Sequence, residues 1–356
     1  MFWKKKRSRS TKSRLPWTRF IGPGVTIVGL LSLLGFGVGK GVDFSKLDTD
    51  LVSASTELDG STVTTPIVGS GKRADRIRIA SFNIQVFGEK KSSDPNVMGV
   101  LASIMTHFDL VAIQEVRSPK SQPVQRLVDQ INASGGQYAS IVSPSLGRTS
   151  QTEQYAFVWD VTRIRMIPDS SYVVSDPEDR MHREPMAATF QSIVAASSGR
   201  SGFKFTLINA HTDPDEVLHD GPDNELNVLD DVYLSIREYE YARQGEEDFV
   251  LLGDLNVDRE HLYELGAIHG IESVVGDVPT NTAGTKVYDH ILVDRATTSE
   301  FTGTAGVIDF VKDLNLTKEQ ALLVSDHLPI WAEFSIYEQP AFAAVATRPS
   351  SSAPQR

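Results

Sequence analysis

FVLLGDLN, Phe249 to Asn256, opens with four apolar residues and turns polar at Asp254 and Asn256. The apolar run predicts a strand over Phe249–Leu252, and the carboxylate and amide fall where that strand ends. Four other segments share the pattern, each reading as the C-terminal end of a hydrophobic strand: Ser81-Phe-Asn83, Gln114-Glu115-Val-Arg117, Asn209-Ala-His211-Thr-Asp213 and Ser325-Asp326-His327. A single carboxylate after a strand is most often a turn residue. Two histidines and four carboxylates spread over five such segments instead predict a site gathered at one rim of a sheet.

Outward from these segments, strand-like runs recur at Ile77–Phe82, Leu110–Ile113, Tyr155–Trp159, Ala187–Phe190, Phe203–Asn209, His290–Val293 and Pro329–Ile336. Helical patterns lie between some of them. Asp94–Phe108 opens on a cap followed by proline at the first helical position. Asp223–Gln244 puts Leu226, Leu229, Val232, Tyr233 and Ile236 on one stripe. Strands and helices alternate through one domain, 76–337, and two sheets packed face to face with helices outside fit the pattern.

The ends of the chain differ from this domain. Residues 1–19 are basic, and 20–39 run 20 residues without a charge, about the length of a membrane-crossing helix. Positive charges before the span predict a cytoplasmic N-terminus and an extracytoplasmic catalytic domain. A cleaved signal peptide, with secretion, is the rival reading, although no small-x-small cleavage site follows the apolar run. Trp3 and Trp17 flank the basic leader as interfacial aromatics do. Residues 41–75 read as a flexible linker and 338–356 as a disordered tail.

The net charge of −11 conceals an asymmetry: residues 1–40 hold nine Lys/Arg and no acid, leaving 26 basic against 46 acidic groups in the remainder. Such a body attracts a polyanion only through a local basic patch or bound divalent cations. Cysteine is absent. That excludes disulfides, thiolate metal sites and a cysteine nucleophile, so any metal is held by oxygen and imidazole.

Carboxylates, amides and histidines in this assortment suit metal-assisted phosphodiester hydrolysis, which needs charge neutralisation, a positioned water and a stabilised leaving oxygen. Mg²⁺ takes oxygen ligands and keeps several waters, so one or two carboxylates suffice. Glu115 is the first-choice ligand, with Asn83 beside it. Asp254 and Asn256 can orient an attacking water. His211 and His327 can bind phosphate as cations or act as general acids, and Asp289 is a candidate to hold a histidine's tautomer and raise its pKa.

IASFNIQVFGE, AIQEVR, SPSLGRTSQTEQYAFVW, REP, LINAHT, VYL, LLGDLN, YDHILV and SDHLP, in this order, resemble the endonuclease/exonuclease/phosphatase superfamily and most closely its deoxyribonuclease I-like branch. The resemblance covers nearly all of residues 76–336. It implies a four-layered α/β sandwich, two packed mixed sheets with outer helices. It also implies metal positions at Glu115, Asn83 and Asp326, and paired catalytic histidines at His211 and His327. Asp289 becomes the acid partner of the second histidine, and Asp254 and Asn256 orient water and phosphate. Arg117 matches an arginine that enters the DNA minor groove, and Arg183 a phosphate contact. The expected cofactor is Mg²⁺, with Mn²⁺ or Ca²⁺ as further candidates. The expected partners are double-stranded DNA, cut with little sequence specificity, and a membrane through the N-terminal helix, with no obligate protein partner. A histidine at position 211 separates the chain from the AP-endonuclease and exonuclease III branch.

Departures are equally specific. Pro144 stands where the branch has the glutamate partner of its first histidine, so His211 either lacks that partner or borrows one, with Asp213 or Glu153 as candidates. Gln85 replaces a DNA-contacting arginine, and the family's disulfides are missing. The acidic body and the expected tether therefore keep a phospholipid or inositol-phosphate head group open as an alternative substrate. A decayed, purely binding module is the third possibility, against which the intact polar set argues. His107, His182, His219, His261, His269 and His290 share no metal spacing, and Asp213–Asp223 reads as a solvated loop. Asn132-Ala-Ser and Asn315-Leu-Thr fit the glycosylation pattern.

Overall fold

The computed structural model describes residues 72–339, apart from 119, 121 and 151. The strands are β1 (Arg76–Phe87), β2 (Leu110–Val116), β3 (Tyr138–Val142), β4 (Gln154–Asp160), β5 (Ile164–Met166), β6 (Tyr172–Val173), β7 (Met186–Ser192), β8 (Lys204–His211), β9 (Phe249–Asp254), β10 (Ile271–Ser273), β11 (Asp289–Asp294), β12 (Phe301–Val307) and β13 (Ile330–Ser335). The helices are α1 (Glu89–Ser92), α2 (Pro95–Met105), α3 (Pro123–Ala133), α4 (Glu225–Gln244), α5 (Tyr263–Ala267), α6 (Phe310–Asp313) and α7 (Lys318–Val324).

Two mixed sheets result. The first runs β12-β13-β1-β2-β4-β3, and the second runs β10-β11-β9-β8-β7-β5 with β6 also on β7. Strands in the middle of this stack are buried on both faces, and their period-two alternation decides which apolar layer each side chain joins. In β1, Ile77 and Ile79 point between the sheets, whereas Ala80, Phe82 and Ile84 point to the outer helices. In β9, Val250 and Leu252 face the inter-sheet core, and Phe249 and Leu251 face the α4 side. Three apolar layers therefore separate four layers of backbone, the sandwich expected above.

The two helices read from the sequence are present but shorter: α2 stops at Met105, three residues before the expected end, and α4 starts at Glu225, two residues after the expected start. Asp94 caps α2 by accepting from the Asn96 and Val97 amides, and Asn224 caps α4 through the Leu226 amide. The stripe Leu226, Leu229, Tyr233 and Ile236 is buried against β8 and β9, while Val232 is only partly covered.

The domain's edges lie slightly outside 76–337. Lys72 Nζ sits 2.6 Å from Asp160 Oδ2 and donates to the Tyr138 hydroxyl at 2.6 Å, so the expected linker is docked before residue 76. Glu338 accepts from the Lys204 amide at 3.0 Å. No helix among the described residues is long and apolar enough to cross a membrane, and the expected span over 20–39 lies outside them.

Candidate active site

The pairing registers bring the polar segments to one rim. β1 and β2 are parallel with Asn83 opposite Gln114, which places Glu115 one step beyond. β8 and β9 are parallel with His211 opposite Asp254, and antiparallel β11 sets Asp289 opposite Asp254. Two expectations need correction. Ser81-Phe-Asn83 lies inside β1, which runs on to Phe87. Ser325-Asp326-His327 does not end a strand; it joins α7 to the start of β13. It reaches the same rim because β13 runs antiparallel to β1, with Ile330 opposite Ser81.

Asp254, 2% exposed, is the hub. Its Oδ2 accepts from Asn83 Nδ2 at 2.9 Å and lies 3.4 Å from His327 Nε2 and 3.6 Å from His211 Nε2. The outer nitrogen of each ring is held by a buried carboxylate. His327 Nδ1 is 2.9 Å from Asp289 Oδ2, which also accepts from Thr280 Oγ1 at 2.6 Å. His211 Nδ1 is 2.9 Å from Glu153 Oε2. Of the two candidates for the His211 partner, Glu153 therefore fills the role, and Asp213 lies instead 3.5 Å from His182.

Glu153 arrives from an irregular segment, pinned by a two-way backbone bridge to Leu146 and by Arg117 Nη2, which donates to its Oε1 at 2.8 Å. Arg183, expected at a phosphate-contacting position, lies beside the same carboxylate. It is 5% exposed, it donates to the backbone carbonyls of His211 and Thr212 at 3.2 and 3.3 Å, and Nη1 lies 3.5 Å from Glu153. These contacts place Arg183 directly behind His211. Asn256 adopts φ +54°, a left-handed conformation that asparagine tolerates, and its side chain donates to the Thr212 carbonyl at 2.9 Å.

Residues to which the sequence assigned no role lie one layer below. Asn209 is fully buried, accepts from Gln114 Nε2 at 2.6 Å and donates to the carbonyls of Ile113 and Ala156, tying one sheet to the other. The Tyr155 hydroxyl accepts from the His211 amide, and Ser325 Oγ donates to the Asn83 carbonyl. Each is a polar residue within or beside an apolar run, and that pattern is the signal by which they could be found.

Burial presses the His211 imidazole toward neutrality and Arg183 adds to that, but the Glu153 hydrogen bond with the Asp254 and Glu153 charges outweighs both and raises its pKa. His327 follows the same logic more strongly: burial opposes its charge, and Asp289 and Asp254 lift its pKa well above the ordinary value. Burial would raise Glu153, yet its hydrogen bond to His211 and the charges of His211, Arg183 and Arg117 hold it down at about 2. Replacing Glu153 by glutamine should therefore lower the His211 pKa and reduce turnover by about 10–100-fold, as loss of an orienting carboxylate commonly does. The sign is checkable in a pH–rate profile, whose alkaline limb should move to lower pH.

Divalent metal fits a different corner. Glu115, at φ +56°, receives Asn83 Nδ2 at 3.2 Å, the Val86 amide at 2.9 Å and Arg117 Nη2 at 3.2 Å. Asn83 Oδ1 and Asp326 Oδ1 are sealed from solvent with no hydrogen-bond partner, although an unmet buried acceptor costs about 1–3 kcal/mol. Orphaned oxygens beside Glu115 are what a hard cation requires. Gln85 Nε2 orients the other Asp326 oxygen at 3.0 Å. Asp254, Asp289 and His327 also lie within 4.8 Å of one another and are a second group able to hold a cation.

A site of paired, carboxylate-backed histidines beside an oxygen-rich metal corner agrees with what the chain is similar to. A profile described as the Endonuclease/Exonuclease/phosphatase family matches residues 80–327. Deoxyribonuclease-1-like 2 of Mus musculus is 31% identical over 276 residues, spanning 74% of this chain and 94% of that protein. Deoxyribonuclease-1 of Bos taurus is 29% identical over 269 residues, with 71% and 90% covered. Among solved structures, an endonuclease/exonuclease/phosphatase family protein from Bacteroides thetaiotaomicron aligns at 16% identity with a TM-score of 0.49, covering 72% of this chain and 94% of that one. The chain belongs to the endonuclease/exonuclease/phosphatase family, in its deoxyribonuclease I-like branch, and is a hydrolytic nuclease or phosphodiesterase.

Proposed function

We propose that this protein is a Mg²⁺-dependent endonuclease that hydrolyses double-stranded DNA with little sequence specificity, anchored through residues 20–39 with its catalytic domain outside the cytoplasm. The observation that carries the chemistry is the convergence of His211 and His327 within 3.4–3.6 Å of one oxygen of Asp254, each backed by a buried carboxylate. The choice of DNA is supported by the relatives named deoxyribonucleases and by Arg117, whose side chain reaches the rim 29% exposed.

In this reading the scissile phosphate sits over Asp254 with the two imidazolium N–H groups donating to its oxygens. Water adds to phosphorus, its proton passes to Asp254, and the P–O bond to the leaving sugar oxygen breaks. That oxygen takes the proton of one imidazolium, and the proton held on Asp254 then restores the ring. Asn256 and Asn83 orient the attacking water and the phosphate, and Arg183 fixes the His211 backbone. Glu115, Asn83 and Asp326 would hold a divalent cation, which would supply positive charge against the charge growing on the phosphate. Arg117, bridging Glu115 and Glu153, links the metal corner to the histidine corner and is the group placed to enter a minor groove, where arginine reads groove width more than sequence.

The acidic body supports a second substrate class, a phospholipid or inositol-phosphate head group. One experiment separates them: full-length protein is incubated with supercoiled plasmid or with phospholipid vesicles, in Mg²⁺ or in EDTA. Nicking of plasmid in Mg²⁺ alone is expected. Head-group release without nicking would replace DNA as the substrate, and no turnover of either would leave a binding module.

A further inference from the structure

At the opposite end of β9 from Asp254, three carboxylates meet that the chemistry above does not use. Asp248 precedes β9, Glu300 precedes β12 and Glu338 follows β13, and one oxygen of each lies within 4.8 Å of the other two. Asp248 is 6% exposed and Glu300 2%. Asp248 Oδ1 and Glu300 Oε2 are shielded from solvent without a well-formed hydrogen bond, although the Thr298 and Ser299 hydroxyls lie near the two carboxylates and the Gln339 amide donates to the other Glu300 oxygen. A fourth buried carboxylate, Glu246, adjoins them and accepts from the Asp248 amide at 3.0 Å. Among the described residues, the ion pair reaching this group is Lys204 Nζ at 3.2 Å from Glu246 Oε2, and Asp248, Glu300 and Glu338 have none.

Carboxylates buried side by side need either protons or a cation. Oxygens around one Ca²⁺, bound at 2.3–2.6 Å, lie at most about 5 Å apart across the ion, a limit these three satisfy. Mg²⁺ keeps most of its waters and does not favour an all-protein cage, whereas Ca²⁺ accepts several carboxylates in flexible geometry. We propose that Asp248, Glu300 and Glu338 form a structural Ca²⁺ site that ties the start of β9, the turn before β12 and the chain leaving β13 together. Position separates this site from catalysis. Asp248 stands six residues before Asp254 along an extended strand, roughly 20 Å away at about 3.3 Å per residue.

Thermal unfolding of the full-length protein in EDTA and in added CaCl₂ tests it, run also on Glu115→Gln so that the catalytic corner is set aside. Ca²⁺ should raise the Tm by several degrees in both proteins. Asp248→Asn and Glu300→Gln should lose that rise while keeping Mg²⁺-dependent turnover. If Asp248→Asn does not fold, Glu338→Gln, on the half-buried ligand, carries the same comparison. No Ca²⁺ response at neutral pH overturns the proposal, because protons then neutralise the cluster. A response that survives these substitutions, or that disappears only in Glu115→Gln, overturns it as well. None of these outcomes depends on whether DNA is the substrate.

Discussion

Replacing His327 by glutamine is expected to slow plasmid cleavage by about 10²–10⁴-fold, the range lost when a positioned proton donor is removed. Glutamine keeps a polar group of similar reach but cannot hold a positive charge. Asp289 and Asp254, 2.9 and 3.4 Å from the ring nitrogens, would then be left buried without the cation between them. The sign of the pH dependence follows from the raised pKa of His327. Its proton is fully held below the ordinary histidine value and is lost as pH rises through the elevated one, so the contribution of His327 to turnover should be lost on the alkaline side. Steady-state nicking rates on protein verified as folded by circular dichroism provide the check. A rate within tenfold of wild type would remove His327 from the chemistry.

The second large effect falls on the backbone beneath the hub. Gly253 has φ +151°, and a Cβ built there would lie 1.8 Å from the Ala210 carbonyl oxygen. β8 and β9 pair Ala210 with Gly253 and, one step on, His211 with Asp254. Gly253→Ala must therefore part the two strands at the point where they deliver one catalytic histidine and the hub. Forced backbone strain costs about 1–3 kcal/mol and overpacking a similar amount, so a loss of about 3 kcal/mol or more is expected. In a domain of this size that lowers the Tm by roughly 6–12 °C. Calorimetry giving a Tm within 2 °C of wild type would contradict the close approach.

The parts of this site legible in the sequence are those tied to a strand end. Asp254 and His211 terminate β9 and β8, Glu115 and Asn83 belong to β2 and β1, and apolar runs locate each strand. Asp289 and His327 are legible too although they lie at or just before strand starts, because antiparallel neighbours bring starts and ends to one rim. Long-range pairings are less visible. Glu153 reaches His211 from 58 positions away through an irregular loop, so the sequence leaves it level with Asp213. The burial of Arg183 behind His211 is likewise a property of the packed sheets and is not legible in its neighbours along the chain. The half-exposed β12, FTGTAGV, carries two glycines and little apolar signal, and α3 and α7 sit outside the two helical patterns that stand out.

The decisive measurement is the Mg²⁺-dependent nicking rate of Glu115→Gln, His327→Gln and the double variant, side by side. Residues acting in one centre are strongly non-additive, so each single variant should lose at least about 100-fold and the double variant little more than the worse single. Losses that multiply, or a single variant that nicks at the wild-type rate, would mean that the metal corner and the histidine pair do not work on the same phosphate.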